Sequence, residues 1–457
     1  MSRGSTALAL CAALACDSRS LARSASRTTI ETCAYSVTLL GVGRANVIAH
    51  CKASAELTFR ASFSALRPHI RSATAGKAGR YRSQNGTLHY SVDLAALAKQ
   101  SENFDAAQRV GDSYIAALSS VLLVPEPLTT EIPVTVALRP EGGLSSATGL
   151  LRDTAPETYR IMAHEIPVAT YVAFGKLQQR RLEVAGSQLE LAKLDGKLDR
   201  SFDELSAWVG KSAQAVSAFY GTFPVPRASV MVIPAAGREG VVFGKVLPES
   251  GPAIALVVGE HATRHALYSD WILVHELFHL GFPSFFEEGK WLDEGLATYF
   301  EPIIRVRAGL YTEGEMWTEL AKSLPQGLPA YTEYGLESAR DFRGIYWGGA
   351  LACLEADVAA RKRKLEHGLE LGLRALREAG GVASEVWSVK DAISTIDQAL
   401  GAPTLARVAA RHAERGHAFD LEALLRDLGV LRLPDGSVQL SNDAPLAGVR
   451  RAIIEVR

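Results

Sequence analysis

The sequence predicts an α+β protein, and three features of its patterning predict it. Strand-like alternation and turn signals fill residues 30–175, two short β-prone apolar runs follow an amphipathic helix in the next stretch, and from Trp271 onward the apolar spacing is mainly helical. At 457 residues the chain exceeds the size at which one hydrophobic core stops growing, so several units are expected. The patterning divides it into residues 1–16, 17–29, a β-rich unit at 30–175, a mixed unit at 176–301 that carries the chemistry, and a mainly helical region at 302–457.

In chain order, the first sixteen residues carry Arg3, the apolar run Ala7 to Ala15, and Cys16 after Leu14-Ala15. This reads as a secretory signal, and Ala13-Leu14-Ala15-Cys16 resembles a bacterial lipoprotein box in which Cys16 would carry the lipid anchor. An exported protein is expected, in the periplasm, the outer envelope or outside the cell. Asp17 to Thr29 is Ser/Arg-rich and reads as a tether. The β-rich unit is expected to contain strands at Ala55–Ala61, Thr87–Val92 and Ile132–Leu138, with a turn at Pro140–Gly143 and one helix over Phe104–Leu123. Ser201-Phe202-Asp203-Glu204 opens a helix running to Tyr220, with serine at the cap and acids in the first turn. Ser229–Ile233 and, past Glu249–Pro252, Ala253–Val258 are candidate strands beside a cleft. The last 28 residues hold a turn at Pro434-Asp435-Gly436, a strand Ser437–Leu440 and a closing helix.

Composition narrows the partners. With 49 Lys plus Arg against 50 Asp plus Glu, the summed field has no strong sign, which argues against nucleic acid. No apolar run reaches the roughly 18 residues of a membrane span. Five cysteines without a CxxC pair signal neither a disulfide scaffold nor a cysteine metal site. Cys353 reads as core, while Cys33 and Cys51, 18 residues apart, stand open to bridging in an oxidising compartment. Nothing in the pattern specifies an oligomeric state.

The chemistry sits in Asp270-Trp271-Ile272-Leu273-Val274-His275-Glu276-Leu277-Phe278-His279-Leu280-Gly281, a helical candidate with Ser269 as its expected cap and Gly281 and Pro283 as its stop. Histidines four residues apart lie about 6 Å apart along a helix axis, so His275 and His279 leave one face and can share one zinc ion. Glu276 lies beside the first histidine, where it can take a proton from zinc-activated water without joining the ligands. A catalytic site needs a third protein ligand, and the nearby acids are Glu287, Glu288, Asp293, Glu294 and Glu301. Glu294 is the choice, because on a helix starting near Lys290-Trp291-Leu292 it stands among the packing residues Trp291, Leu292, Leu296, Tyr299 and Phe300. Asp293, Thr298 and Glu301 are candidates to support the histidines from behind.

His275-Glu276-Leu277-Phe278-His279 followed by Trp291-Leu292-Asp293-Glu294-Gly295-Leu296-Ala297 resembles the gluzincin zinc metallopeptidases, especially the aminopeptidase N and glycyl aminopeptidase branches. The resemblance covers roughly residues 200–430. It implies a thermolysin-like zinc peptidase domain binding one Zn2+ per chain through His275, His279 and Glu294, with Glu276 as proton carrier and a peptide or protein as substrate. The two motifs are separated by fourteen residues, Leu280 to Asp293, about one helical turn fewer than in aminopeptidase N relatives. Gly344-Ile345-Tyr346-Trp347-Gly348-Gly349-Ala350-Leu351 is similar to the segment whose tyrosine bonds the reaction's oxyanion in those relatives, which implies that role for Tyr346. Here Gly348 replaces their lysine. Their Gly-x-Met-Glu-Asn motif, whose acid grips a free amino terminus, is absent; Glu239, Glu249 and Glu260 lie in its region without its neighbours. Exopeptidase action therefore does not carry over, and Gly251–Gly259 is the expected edge strand for an extended substrate.

Two further patterns read as ordinary. His261 and His265 are four apart, but no acid or histidine follows at a useful spacing for a second metal. Arg361-Lys362-Arg363-Lys364 reads as a solvated helix end whose charge suits the carboxyl-terminal dipole.

Overall fold

The computed structural model describes residues 28–455 except 73, 77, 78 and 130. The expected signal, Cys16 and nearly all of the tether lie outside the described residues. Among those described, no helix is long and apolar enough to cross a membrane.

Alternation builds the first unit. In the strand Arg44–Ala53 every second residue from Ala45 to Cys51 is buried, the signature of a sheet with one wet face. It pairs antiparallel with Ile30–Leu40, and the register sets Cys33 opposite Cys51, where the two form a disulfide. A seven-stranded sheet results, in the order Leu151–Arg152, Thr158–Met162, Pro133–Pro140, Ile30–Leu40, Arg44–Ala53, Thr87–Asp93 and Ile70–Arg71. The expected strand at Ala55–Ala61 shrinks to Thr58–Arg60.

The expected helix over Phe104–Leu123 is absent. Gly111, at φ +56°, turns the chain between the strands Gln108–Val110 and Ser113–Ala117. All five residues of Ser113–Ala117 are buried, because the strand lies inside a four-stranded sheet. A strand covered on both faces loses its alternation, so its apolar run imitates a helix. The α-helix of this unit is instead Leu94–Gln100, where the Asp93 side chain accepts from the Ala96 N–H.

Beyond Gly175 a five-stranded sheet forms in the order Gln178–Val184, Ser187–Lys193, Arg227–Ala235, Ala253–Gly259, Val241–Leu247. The helix Phe202–Tyr220 packs beside it, opened by reciprocal bonds between Ser201 and Glu204. The expected edge strand is corrected here: Ala253–Gly259 is interior, parallel to Arg227–Ala235 on one side and antiparallel to Val241–Leu247 on the other. Its residues are almost all buried, as an interior position demands, whereas Val241–Leu247 is partly exposed throughout and forms the edge.

The two units share a small core, in which Ile115, Tyr171 and Ala173 pack with Leu194, Met231 and Ala255. The rest of the second sheet, the helices that carry His275, His279 and Glu294, and the helical region share one large core. The helix Lys290–Arg307 runs unbroken through the division drawn at residue 301 and carries Pro302 inside it. Arg361 is a second correction. It is buried at the end of the helix Gly349–Arg363, bound to Asp357 and to both oxygens of Glu370. Charge-assisted bonds from Nη2 to Glu370 and from Nε to Asp357 make that burial tolerable. Near the end, Val430–Arg432 and Val438–Leu440 form the hairpin around Pro434–Gly436, and Ala447–Ile454 is the closing helix.

Candidate active site

The motif helix spans Ile272–His279, shorter than the stretch expected, and its cap differs. Asp270 accepts from the Leu273 N–H, while Ser269 donates its hydroxyl to the His265 carbonyl and ends the preceding turn of helix. One helical turn brings the Nε2 atoms of His275 and His279 to 3.1 Å. The following helix, Lys290–Arg307, delivers Glu294, whose Oε2 lies 3.2 Å from His275 Nε2 and 3.5 Å from His279 Nε2. Gly295 sits where a Cβ would lie 2.5 Å from Gly349 Cα. That bare contact lets the helix beginning at Gly349 lie against Trp291 and Gly295 and carries Tyr346 into the site.

Tyr346 lies in a wide π-helical turn, Arg343–Gly348, of the kind often found at functional positions. Its ring stacks on His275 with centroids 5.8 Å apart and on Phe342 at 4.2 Å. Its hydroxyl bonds to Glu294, and burial together with that carboxylate keeps it protonated far above the ordinary tyrosine range. Of the three supporting candidates, Asp293 faces His279, with Oδ1 3.1 Å from Nδ1 and Oδ2 3.1 Å from Lys290 Nζ. Glu301 pairs instead with Arg305, and Thr298 is buried with no partner for its hydroxyl.

Glu276 reaches the site from the edge strand's side, its Oε2 accepting from the Val246 N–H at 2.9 Å. Burial raises its carboxyl above the ordinary range, against the opposing pull of His275 and His279. Burial works against charge on Glu294 as well, yet the two imidazoles hold it well below the carboxylate range. His279 is likewise held above its ordinary value, despite burial, by Glu294 and Asp293. The site is thus arranged to receive positive charge.

The three converging ligand atoms test the fit of a metal. Tetrahedral zinc with ligands at about 2.0–2.1 Å separates them by roughly 3.3 Å, and the observed separations of 3.1, 3.2 and 3.5 Å bracket that value. His275, His279 and Glu294 therefore fit a zinc ion. Asp199, Glu260 and His261 also approach one another, but Lys197 already occupies Glu260 and the group is on the surface. His265 does not join it; it lies on the short helix Arg264–Tyr268.

A cleft of about 830 Å³ opens over Glu276, His279, Glu294 and Tyr346. One side is the edge strand, from Phe243 to Leu247, and the first unit supplies another. Lys245 pairs with Asp105 at 2.5 Å, Tyr171 donates to the same carboxylate at 2.5 Å, and Phe104 packs on Phe243 at 4.9 Å. These contributors escaped sequence reasoning. The run Val241–Leu247 carried a strand signal, but its pairing with Asp105, 140 positions away, left none.

No family model matches the chain, and no curated protein does. Solved structures do. An aminopeptidase N family protein from Idiomarina loihiensis superposes with a TM-score of 0.66 at 16% identity, over 88% of this chain and 80% of that one. The M1 zinc metallopeptidase from Deinococcus radiodurans gives 0.54 at 14%, over 86% and 94%. A mutant of that enzyme bound to a Tyr-Ser-Ala substrate gives 0.53 at 12%, over 86% and 95%. The chain has the α+β fold of these zinc metallopeptidases, with the β-rich part first and the helical region last.

Proposed function

We propose that this protein is a zinc-dependent peptidase, in which His275, His279 and Glu294 hold one zinc ion and Glu276 and Tyr346 carry the chemistry. The observation that supports this most is the convergence of three ligand atoms from two helices, with a fourth side chain, Glu276, close by but held back on a backbone N–H. A bound zinc supplies a Lewis acid that polarises a carbonyl and lowers the pKa of water. Glu276 takes the proton of the attacking water and returns it to the leaving nitrogen. Tyr346, kept protonated, donates to the oxygen on which negative charge develops. The exposed edge strand Val241–Leu247 offers backbone groups to an extended chain, which favours a peptide over a compact ester or amide. The neighbour that holds Tyr-Ser-Ala supports the same substrate class.

The protein is further read as exported, with Cys16 as its lipid anchor. The Cys33–Cys51 disulfide supports an oxidising location. Elemental analysis of the purified protein tests the metal assignment: near one zinc per chain is expected, lost in Glu294→Ala while the circular dichroism spectrum persists. A wild-type protein that takes up no zinc contradicts the reading.

A further inference from the structure

The carboxylates that line the cleft are Asp105, Glu249, Glu276, Glu287, Asp293 and Glu294. Asp105 is occupied by Lys245 and Tyr171. Asp293 is occupied by His279 and Lys290, Glu294 by the histidines, and Glu276 by the Val246 N–H. Glu287 stands in solvent. Glu249 differs from all of them: it is partly buried, and among the described residues its side chain bonds only to its own backbone N–H, with Lys290 and Glu165 acting on it as more distant charges.

Its position is fixed. The Thr170 N–H donates to the Glu249 carbonyl, and the Leu151 N–H donates to that of Ser250, so the first unit holds this loop from two sides. Lys290 acts on Glu249 from a distance, but its ammonium sits on Asp293 at 3.1 Å. Burial raises the Glu249 carboxyl above the ordinary range, with Lys290 opposing, which marks a charge short of solvation. The same cleft exposes large apolar side chains, with Val168 52%, Phe286 62% and Val386 53% accessible. Aliphatic stems that end in a charge suit such a surface.

We propose that Glu249 is a specificity residue that binds a positively charged group of the substrate, two or three residues from the scissile bond. The distance follows from the strand. Val246 reaches Glu276, the strand ends at Leu247 and Glu249 stands in the turn that follows, so three residues at no more than about 3.3 Å each put Glu249 at most about 10 Å further along. An extended substrate advances about 3.3 Å per residue, so within that distance its reacting carbonyl and the charge are separated by two or three residues. The group is an ammonium or guanidinium, from a basic side chain or from the amino terminus of a short peptide. This inference rests on the peptidase reading of the site.

The test uses the zinc-loaded full chain and peptides of one parent sequence. In one arm lysine is exchanged for norleucine at each position in turn; in the other the free amino terminus, at varied distance from the cleaved bond, is exchanged for an acetylated one. Charge two or three residues from the bond is expected to raise kcat/KM about tenfold, equivalent to about 1.4 kcal/mol. Glu249→Gln is expected to abolish that gain while cleaving the neutral peptides within about twofold of wild type. Collapse of the lysine effect assigns a side chain, and collapse of the acetylation effect assigns the amino terminus. A charge preference that survives Glu249→Gln, or no preference in the wild type, overturns the proposal. The same peptides are titrated calorimetrically into Glu276→Gln and into Glu249→Gln/Glu276→Gln, so the preference is read without turnover. Failure of cleavage alone then counts against the peptidase reading, and equal affinities for charged and neutral peptides count against Glu249.

Discussion

Single residues decide whether the three candidate ligand atoms are merely near one another or held ready. Asp293 fixes the orientation of His279 through Nδ1. Losing such a support typically weakens metal binding about 10–100-fold. Asp293→Asn is accordingly expected to raise the zinc dissociation constant by that order in a chelator competition, with the fold intact. In the proposed mechanism Tyr346 has a different task. Tyr346→Phe is expected to lower kcat by about 10²–10³ with KM little changed, as for the loss of one oxyanion donor, and zinc content should not move. At this scale much of the site was legible. His275, Glu276 and His279 belong to one helical turn, and Glu294 stood out as an acid among packing residues. Asp293 could not be separated from Thr298 and Glu301, because the choice depends on how two helices face each other. Val246 was hidden because a backbone N–H carries no signature, and Glu249 could not be separated from Glu239 and Glu260 until the first unit is packed against it.

Among the elements, the edge strand is the one most tightly bound to the chemistry. Gly244 has no side chain, and a Cβ there would sit 2.3 Å from Ile272 Cγ2 and 3.0 Å from Glu276 Cγ. Gly244→Ala must push the strand away from the motif helix, at a cost of about 1–3 kcal/mol for such overpacking. The expected result is a lower melting temperature and a lower kcat with zinc still bound, read by calorimetry, kinetics and elemental analysis. The elements also show where sequence patterning succeeds. Phe202–Tyr220 was readable because its cap, its acids and its apolar stripe agree. The run at Phe104–Leu123 misled because a strand buried on both faces has no period of two, and the solvated end assigned to Arg361 misled because, although Asp357 stands one turn earlier on the same helix, Glu370 and the burial of the pair arise only when the next helix packs.

For the whole molecule, the question is what holds the first unit against the second so that the cleft keeps its shape. Arg227 donates to the carbonyls of Thr148, Gly149 and Leu150 and to Glu190, which also takes Arg152. Burial pushes the Glu190 carboxyl up, but Arg227 and Arg152 outweigh it and leave it below the ordinary range. A carboxyl lowered on folding stabilises above its unfolded value, about 4.3, and that contribution fades as the pH falls through the lower folded value. The difference in melting temperature between wild type and Glu190→Gln should therefore be largest near neutrality and should shrink below about pH 4. The order of parts, strands first and helices last, could be read from patterning alone. The seating of one unit on the other could not, since Arg227 and Glu190 look like any surface charges until the sheets are in place.

The central claim is that the chain hydrolyses peptide bonds at this site, and its most direct test is the cleavage rate of a quenched-fluorescent peptide library by zinc-loaded wild type and Glu276→Gln. The account predicts cleavage by the wild type and a loss of about 10²–10⁴-fold in the variant, the range for removing a general base, at equal zinc content. Equal rates in the two proteins, or a zinc-loaded wild type that cleaves no peptide, contradict it.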